Sequence, residues 1–329
     1  MHKRAGRVCV ILLNWNGRKD TLECLSSLQQ IDYPHFQTIV VDNGSTDGSV
    51  SAIRAAYPEI PLLETGENLG FAGGNNKGIE WALRKTFEWI LLLNNDTTVA
   101  PDLLTQLIQT SRERPQGKIF GAKIYRYGDP QRIDHCGGFW DPQIAEFISC
   151  GADQIDDKFS YEKEEQVDYV TGCALFMHVS VPKKIGLLEP RFFLYWEETD
   201  FCFRAKRAGF EIWTAPKAHV YHKVSSSFTG GKPHMHYFWW RSRLLWVERN
   251  LPKEERRALY RRVLLPDLWK CARHYLLKTI QGKVGTVLGR PPTKAHVQKL
   301  RRYKAGLAGA LHYFMGRFGN CPAWVVREK

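Results

Sequence analysis

The sequence predicts an α/β fold: a mostly parallel central sheet flanked by helices, followed by a basic helical extension. Three observations predict it. Apolar runs such as "VCVILL" (8–13) and "WILLL" (89–93) lack the alternation of a half-exposed strand, so both faces of the sheet are covered. Each run is followed by apolar residues at helical spacing. From about residue 236 the pattern turns helical, basic and aromatic.

The elements follow in order. "RVCVILLNW" (7–15) reads as a buried strand, and "RKDTLECLSSLQQI" (18–31) as a helix burying Leu22, Leu25 and Leu28. "FQTIVVDNGS" (36–45) is a strand ending in a turn, "SVSAIRAAY" (49–57) a helix and "IPLLETGEN" (60–68) a short strand. "GGNNKGIEWALRKT" (73–86) is a helix, "EWILLLNND" (88–96) a strand, and "PDLLTQLIQTSRE" (101–113) a helix with Pro101 at its first position. Residues 118–141 read as strands and turns, 153–168 as an acidic exposed loop, and 169–181 as a return to the sheet. "FFLYWEETDFCFRAKRAGF" (192–210) is helical in its second half and stopped by Gly209. "EIWTAPKAHVYHKVSSSF" (211–228) is a strand, then a loop.

Length and charge set the domain expectation. The chain has 329 residues, 43% hydrophobic and 25% charged, an ordinary globular balance. Residues 1–235 hold 26 Lys and Arg against 29 Asp and Glu, whereas residues 236–329 hold 21 against 5. We therefore expect a near-neutral catalytic domain over 1–235, with halves of about 1–115 and 116–235, and a basic segment over 236–329. Such a segment suits an anionic surface or ligand. No stretch approaches the roughly 18–20 apolar residues of a membrane span, and the N-terminal apolar run leads into Asn14 and Asn16 without a cleavage site. The eight cysteines form no C-x-x-C pair, so free thiols in a reducing cytosol are expected.

In open sheets of this kind ligands bind at the carboxyl ends of strands. Polar clusters fall there four times: Asn14 and Asn16; Asp42 and Asn43; Asn68 and Gly70; Asn94 and Asp96. Asp42, in "VVDNGSTDGS", either accepts hydrogen bonds from a nucleobase or ribose, or starts a turn and caps a helix. "ENLGFAGGNNKGI" (67–79) is a glycine-rich helix entry able to meet phosphate oxygens, yet it matches neither a P-loop nor G-x-G-x-x-G. Asn94 and Asp96, two residues apart, can face one point, and a carboxylate there suits Mg2+ or Mn2+; capping the helix near Pro101 is the plainer alternative. Glu197, Glu198 and Asp200 lie within four residues among aromatics, either supplying a general base or forming an acidic first helical turn, with Asp200 reaching Arg204. His219 or His222 completes a metal site, or simply packs. Together these residues equip a displacement at a carbon bearing a diphosphate leaving group.

The order "VILLNWNG", "VVDNGSTDGS", "ENLGFAGGNNKGI", "LLLNNDTTVAPDLL", "VTGCALFMHVSV", "FFLYWEETDFCFRAKRAG" and "VYHKVSSSF" resembles family-2 glycosyltransferases of the GT-A fold, a Rossmann-like sheet, over roughly residues 7–245. Similarity is strongest to the bacterial rhamnosyltransferase-like branch that builds surface polysaccharides. The resemblance implies inverting transfer of rhamnose or another hexose from a nucleoside-diphosphate sugar to a lipid-linked or polysaccharide acceptor. By the same resemblance Asn14 and Asp42, with Asn16 beside them, meet base and ribose. Asn68, Gly70, Gly73 and Asn76 line the nucleotide; Asn94 and Asp96 match the D-x-D metal motif; and His222 matches a metal-ligating histidine. Glu198 matches the catalytic base, with Glu197 its rival. Two positions depart from the family pattern: Asn94 replaces an aspartate, and Glu198 replaces the usual aspartate base. The expected place of work is cytoplasmic, peripheral on the inner face of the cell membrane, with the basic segment docked on anionic lipid and no nucleic acid as partner.

Two other classes compete. A sugar-1-phosphate nucleotidyltransferase needs a basic glycine-rich loop near its N-terminus, which "LNWNGRKD" (13–20) lacks. A non-enzymatic binder of anionic surfaces leaves the polar strand ends unexplained.

Overall fold

The computed structural model describes residues 6–223 and 232–326, so residues 224–228 of the "VYHKVSSSF" motif fall outside it. The elements run β1 (Val8–Asn14), α1 (Arg18–Leu28), β2 (Phe36–Asp42), α2 (Ser49–Ala56), β3 (Leu62–Glu64), α3 (Gly70–Leu83), β4 (Trp89–Asn94), β5 (Thr97–Val99), α4 (Leu103–Glu113), β6 (Gly117–Arg126), β7 (Asp129–His135), β8 (Gly138–Asp141), β9 (Glu146–Ser149) and β10 (Ala174–His178). Then come α5 (Ser180–Ile185), α6 (Glu197–Arg207), β11 (Glu211–His222), α7 (Pro233–Asn250), α8 (Lys253–Leu259), a π-helical turn (Tyr260–Leu264), α9 (Leu265–Val287), α10 (Lys294–Phe314) and α11 (Ala323–Val326).

The chain divides into two compact units. The first holds Met1–Phe139, Phe147–Pro190 and Glu197–Val224; the second holds Trp140–Glu146, Arg191–Trp196 and Ser225–Lys329.

Among the described residues of the first unit lies a nine-stranded sheet in the order β3-β2-β1-β4-β10-β6-β11-β5, with β7 beside β6. Its β3-β2-β1-β4 half is parallel, as the covered, non-alternating strands predict. Side chains of β1 show why alternation is missing. Val8, Val10 and Leu12 enter one apolar cluster while Cys9 and Ile11 enter another, so both faces are core. The other half is mixed. β10 runs antiparallel to β4 and β6, and β5 antiparallel to β11. The helix α4 starts at Leu103, so Pro101 precedes it by two residues and does not occupy the first position. The helix α6 ends before Gly209, whose φ of 87° is the left-handed conformation that lets the chain turn back.

The loop at 153–168 is exposed only in part. Asp156 is buried and accepts from Lys123 Nζ at 3.2 Å, a fully buried ammonium on β6 that also donates to Glu162 at 2.6 Å. A lone buried charge would cost several kcal/mol, roughly, so the loop's acids neutralise a cation on the sheet.

In the second unit α7 is the core helix, burying Tyr237, Phe238, Leu244, Leu245, Trp246 and Val247. The small residues of α10 let the two backbones close up: a Cβ on Gly309 would fall 2.1 Å from the Tyr237 carbonyl oxygen. Two of the basic segment's charges are spent inside. Arg241 donates to the Phe192 carbonyl, and Arg243 to the carbonyls of Ala145 (3.0 Å) and Ile144 (2.6 Å).

Candidate active site

Every residue singled out for donor, metal or base lies in the first unit, where two sheet ends differ in construction. At the β1–β2 end the polar side chains are closed on one another. Asn14 is fully buried; its amide nitrogen donates to Asp42 Oδ2 at 2.7 Å and to Ser45 Oγ at 3.0 Å. Its Oδ1 accepts from the Gly17 N–H (3.1 Å), Thr21 Oγ1 (2.8 Å) and Asn95 Nδ2 (3.2 Å). A Cβ on Gly17 would sit 2.4 Å from Asn95 Nδ2, so a larger residue there would displace the Asn95 amide. Asp42 is 2% exposed and also accepts the Ser45 N–H at 2.9 Å. Asn16 sits in the left-handed region with φ 53° and accepts the Thr46 N–H at 2.7 Å. Neither helix that starts here has a side-chain cap, their N-cap residues being Gly17 and Gly48, while Asp47 accepts from the N–H groups of Arg18 and Ser49 at their first positions.

The next loop is tied to the same end. Asn68 Oδ1 accepts from the Gly70 N–H at 2.8 Å and from Asn43 Nδ2 at 3.1 Å. Gly73 and Asn76 lie further along α3. Asn76 turns away, exchanging two hydrogen bonds with the backbone of Leu188 at 2.8 and 3.0 Å, so its amide is spent on structure.

The β4–β11 end is open. The Lys223 N–H donates to the Asp96 carbonyl, and His222 pairs with Thr97 across β5 and β11. This brings His222 Nε2 within 3.3 Å of Asp96 Oδ1, although 126 positions separate them in the chain. His222 Nδ1 meets Asp134 Oδ2 at 2.9 Å. Burial alone would lower the His222 pKa, but its contacts with Cys173, Asp134 and Asp96 outweigh this and raise it, so a cation bound at Nε2 would have to displace the proton held there. His219 instead contacts the Pro216 carbonyl.

Asp134 carried no signal in the sequence. One step along β6, from Ile124 to Tyr125, corresponds to two along β7, from His135 to Ile133, so Asp134 is the extra residue of a β-bulge. Bulges re-aim a side chain, and here the result is a carboxylate against a histidine nitrogen. This donor set fits a divalent cation. The Nδ1–Asp134 contact leaves Nε2 facing Asp96, the carboxylate–histidine arrangement that orients a metal ligand. Among the described residues no group of three or more His, Cys, Asp or Glu could hold an ion. Two protein ligands plus substrate oxygens is the usual provision for Mg2+ and similar ions. Asn94 has its backbone N–H on the Cys173 carbonyl and its carbonyl on Thr97 Oγ1.

The acidic pair is joined to this end by residues 171–173. A Cβ on Gly172 would lie 3.7 Å from the Glu198 Cβ, while Cys173 holds the Asn94 N–H. The chain enters α6 through Phe193, Tyr195 and Trp196, all at positive φ between 65° and 73°. Such backbone is strained in non-glycine residues and persists only where the surroundings fix it. Glu197 and Glu198 each keep one buried carboxylate oxygen, Oε2, without a hydrogen-bond partner. Burial raises both pKa values. The neighbouring charge of Glu198 pushes Glu197 further up, while N–H groups of Glu198, Thr199 and Gly172 restrain Glu198. Both carboxyls are thus held above the ordinary carboxylate range, and Glu198 is the one that backbone N–H groups stabilise in its charged form. Asp200 is a structural partner, accepting from Arg204 Nε at 2.7 Å, while the same guanidinium holds the carbonyls of Ile185 and Leu187 at 2.8 Å.

The family model described as glycosyl transferase family 2 matches residues 9–178. An N-acetylglucosaminyl-diphospho-decaprenol L-rhamnosyltransferase of Mycobacterium tuberculosis is 24% identical over 301 residues, spanning 79% of this chain and 93% of that one. A low-salt glycan biosynthesis hexosyltransferase of Haloferax volcanii is 28% identical over 207 residues, and the match covers 62% of each protein. Among solved structures, a mannosyltransferase from Pyrobaculum calidifontis in complex with GDP-Man and Mn2+ superposes with a TM-score of 0.57 at 17% identity, covering 95% of this chain and 88% of that one. At that identity the likeness establishes the fold.

Proposed function

The chain belongs to glycosyl transferase family 2, and from that premise we propose that it is an inverting, metal-dependent hexosyltransferase of cell-surface glycan synthesis. The observation that carries the reading is the open sheet end. There Asp96 and His222 converge, and residues 171–173 connect them to the buried carboxylates of α6.

In this reading the donor is a nucleoside-diphosphate sugar. Its nucleotide lies along the strand ends that carry Asn16, Asp42, Asn68 and Gly70. Asp96 and His222 would hold Mg2+ or Mn2+, which would supply positive charge to the diphosphate leaving group. The acceptor is a hydroxyl of a lipid-linked or polysaccharide glycan. Glu198, the carboxylate of the pair, takes the hydroxyl proton as the acceptor oxygen bonds to the anomeric carbon. The bond from that carbon to the diphosphate oxygen breaks, and attack from the opposite face inverts the configuration. Glu197, protonated, adds no second negative charge beside the base.

The rhamnosyltransferase and hexosyltransferase relatives support a hexose donor, and the decaprenol in the rhamnosyltransferase's name supports a polyprenyl-linked acceptor. Such an acceptor sets the enzyme on the cytoplasmic leaflet, with its basic segment toward anionic lipid. Among the described residues no helix is long and apolar enough to cross a membrane.

A thermal-shift screen with UDP-, GDP- and dTDP-sugars, each with and without Mn2+, tests the donor. A ligand of the native state raises the melting temperature, so one nucleotide class gives a metal-dependent shift. No shift with any sugar nucleotide contradicts the reading.

A further inference from the structure

The second unit carries two features that donor chemistry does not use. The first is the helix α9. It has 23 residues and not one is buried. Leu265, Trp269, Leu276, Ile280 and Val284 recur at helical spacing along one side and are each between 49% and 65% exposed. In water such a stripe is unfavourable, and its length rules out chance single exposures. The second feature is a cavity of about 430 Å³ just before it, lined by Lys253, Arg256, Arg257 and Arg261 with Tyr260, Tyr313 and Glu248. Glu248 accepts the Tyr313 hydroxyl at 2.7 Å, and Arg256 donates to the Glu248 carbonyl at 3.2 Å. Lys253, Arg257 and Arg261 have no ion-pair partner among the described residues.

Arg261 and Leu265 are about one turn apart, so the cationic cavity leads into the apolar stripe. Residues 251–290 carry ten Lys and Arg against three Asp and Glu. An apolar face bordered by unpaired cations is the signature of a helix lying in the plane of an anionic bilayer. We propose that α8 and α9 form a lipid-surface element: the stripe enters the acyl boundary, and the cavity receives the phosphate head group of an anionic lipid. The proposal rests on the reading of a membrane-held acceptor and specifies which residues meet the membrane.

Vesicle flotation of the full chain tests it, using phosphatidylcholine alone and equimolar phosphatidylcholine and phosphatidylglycerol. The wild type should float with the anionic vesicles and stay behind with the neutral ones. Trp269→Glu with Ile280→Glu, at exposed positions that leave the core intact, should abolish flotation. Arg257→Ala with Arg261→Ala should weaken it by about an order of magnitude or more, at roughly fivefold per charge. Thermal melts alongside show that each variant is folded. Wild type that fails to float with anionic vesicles overturns the proposal. So does a Trp269→Glu, Ile280→Glu chain that floats normally, or one whose sole change is the loss of a dimer in light scattering, which would assign the stripe to a second copy. Retention of a short RNA by the cavity arginines, without flotation, would also overturn it. Flotation uses neither donor nor acceptor, so its failure leaves the transfer reading standing, and loss of transfer leaves the surface standing.

Discussion

The two ends of the sheet in the first unit are built on opposite plans. At β1–β2, Asn14 and Asp42 are buried and bonded to each other and to Ser45, Thr21, Gly17 and Asn95. At β4–β11, Asp96 is 23% exposed at its side chain and meets His222 Nε2 at 3.3 Å. Both carboxylates end a buried strand in the sequence, and nothing local separates them. The difference teaches that a strand-end carboxylate acquires its role from the neighbours other strands deliver. A closed network shapes a floor, whereas the Asp96 carboxylate keeps lone pairs for a ligand.

That contrast can be broken by substitution. The largest effect is expected at the open end. Asp96→Ala should lower sugar transfer by at least about 10²–10³-fold, with the melting temperature of the metal-free protein little changed. Asn14→Ala should reverse the pattern. Stripping partners from a buried carboxylate, a hydroxyl and an N–H costs roughly 2–3 kcal/mol, read as a lower denaturant midpoint, and donor binding weakens as a consequence. If Asn14→Ala left stability untouched, the two ends would not differ as described. Asp134→Asn sharpens the comparison further. It should weaken Mn2+ binding by about 10–100-fold in calorimetric titration, the usual cost of losing a carboxylate behind a metal-ligating histidine.

The smallest effect concerns Glu197. Its folded pKa is raised by burial and by the charge of Glu198. The protonated form therefore stabilises the fold below the ordinary carboxylate value, and that contribution is lost as pH rises through the raised value. Glu197→Gln removes the titration. The variant's melting temperature should gain on the wild type as pH increases from about 4.3 upward. A difference that shrinks with pH would assign the proton elsewhere.

Much of this is legible in the sequence. Apolar runs with both faces buried mark the parallel half of the sheet, and polar strand ends mark its working edge. What was illegible is long-range. The antiparallel insertion of β10 between β4 and β6 depends on pairings across more than fifty residues, for which "YVTGCALFMHVSV" carries no local sign. Asp134 is visible only as a bulge, which needs two strands to define. The apolar residues of the basic segment could not be sorted by sequence: Leu244, Leu245, Val247 and Leu264 are buried, whereas Leu265 is 51% exposed. Helical periodicity identifies a stripe but not what covers it. Asn76, whose amide bonds the Leu188 backbone, shows that a glycine-rich helix entry marks a loop without saying which of its amides face outward.

The central claim is that Glu198 removes the acceptor proton while Glu197 stays protonated beside it. Steady-state transfer by Glu198→Gln and Glu197→Gln, measured side by side with a saturating sugar nucleotide, tests it most directly. General-base loss predicts a fall of about 10²–10⁴-fold for Glu198→Gln, against a change of less than about tenfold for Glu197→Gln, which mimics the neutral acid. Full activity of Glu198→Gln, or a collapse confined to Glu197→Gln, would contradict the assignment.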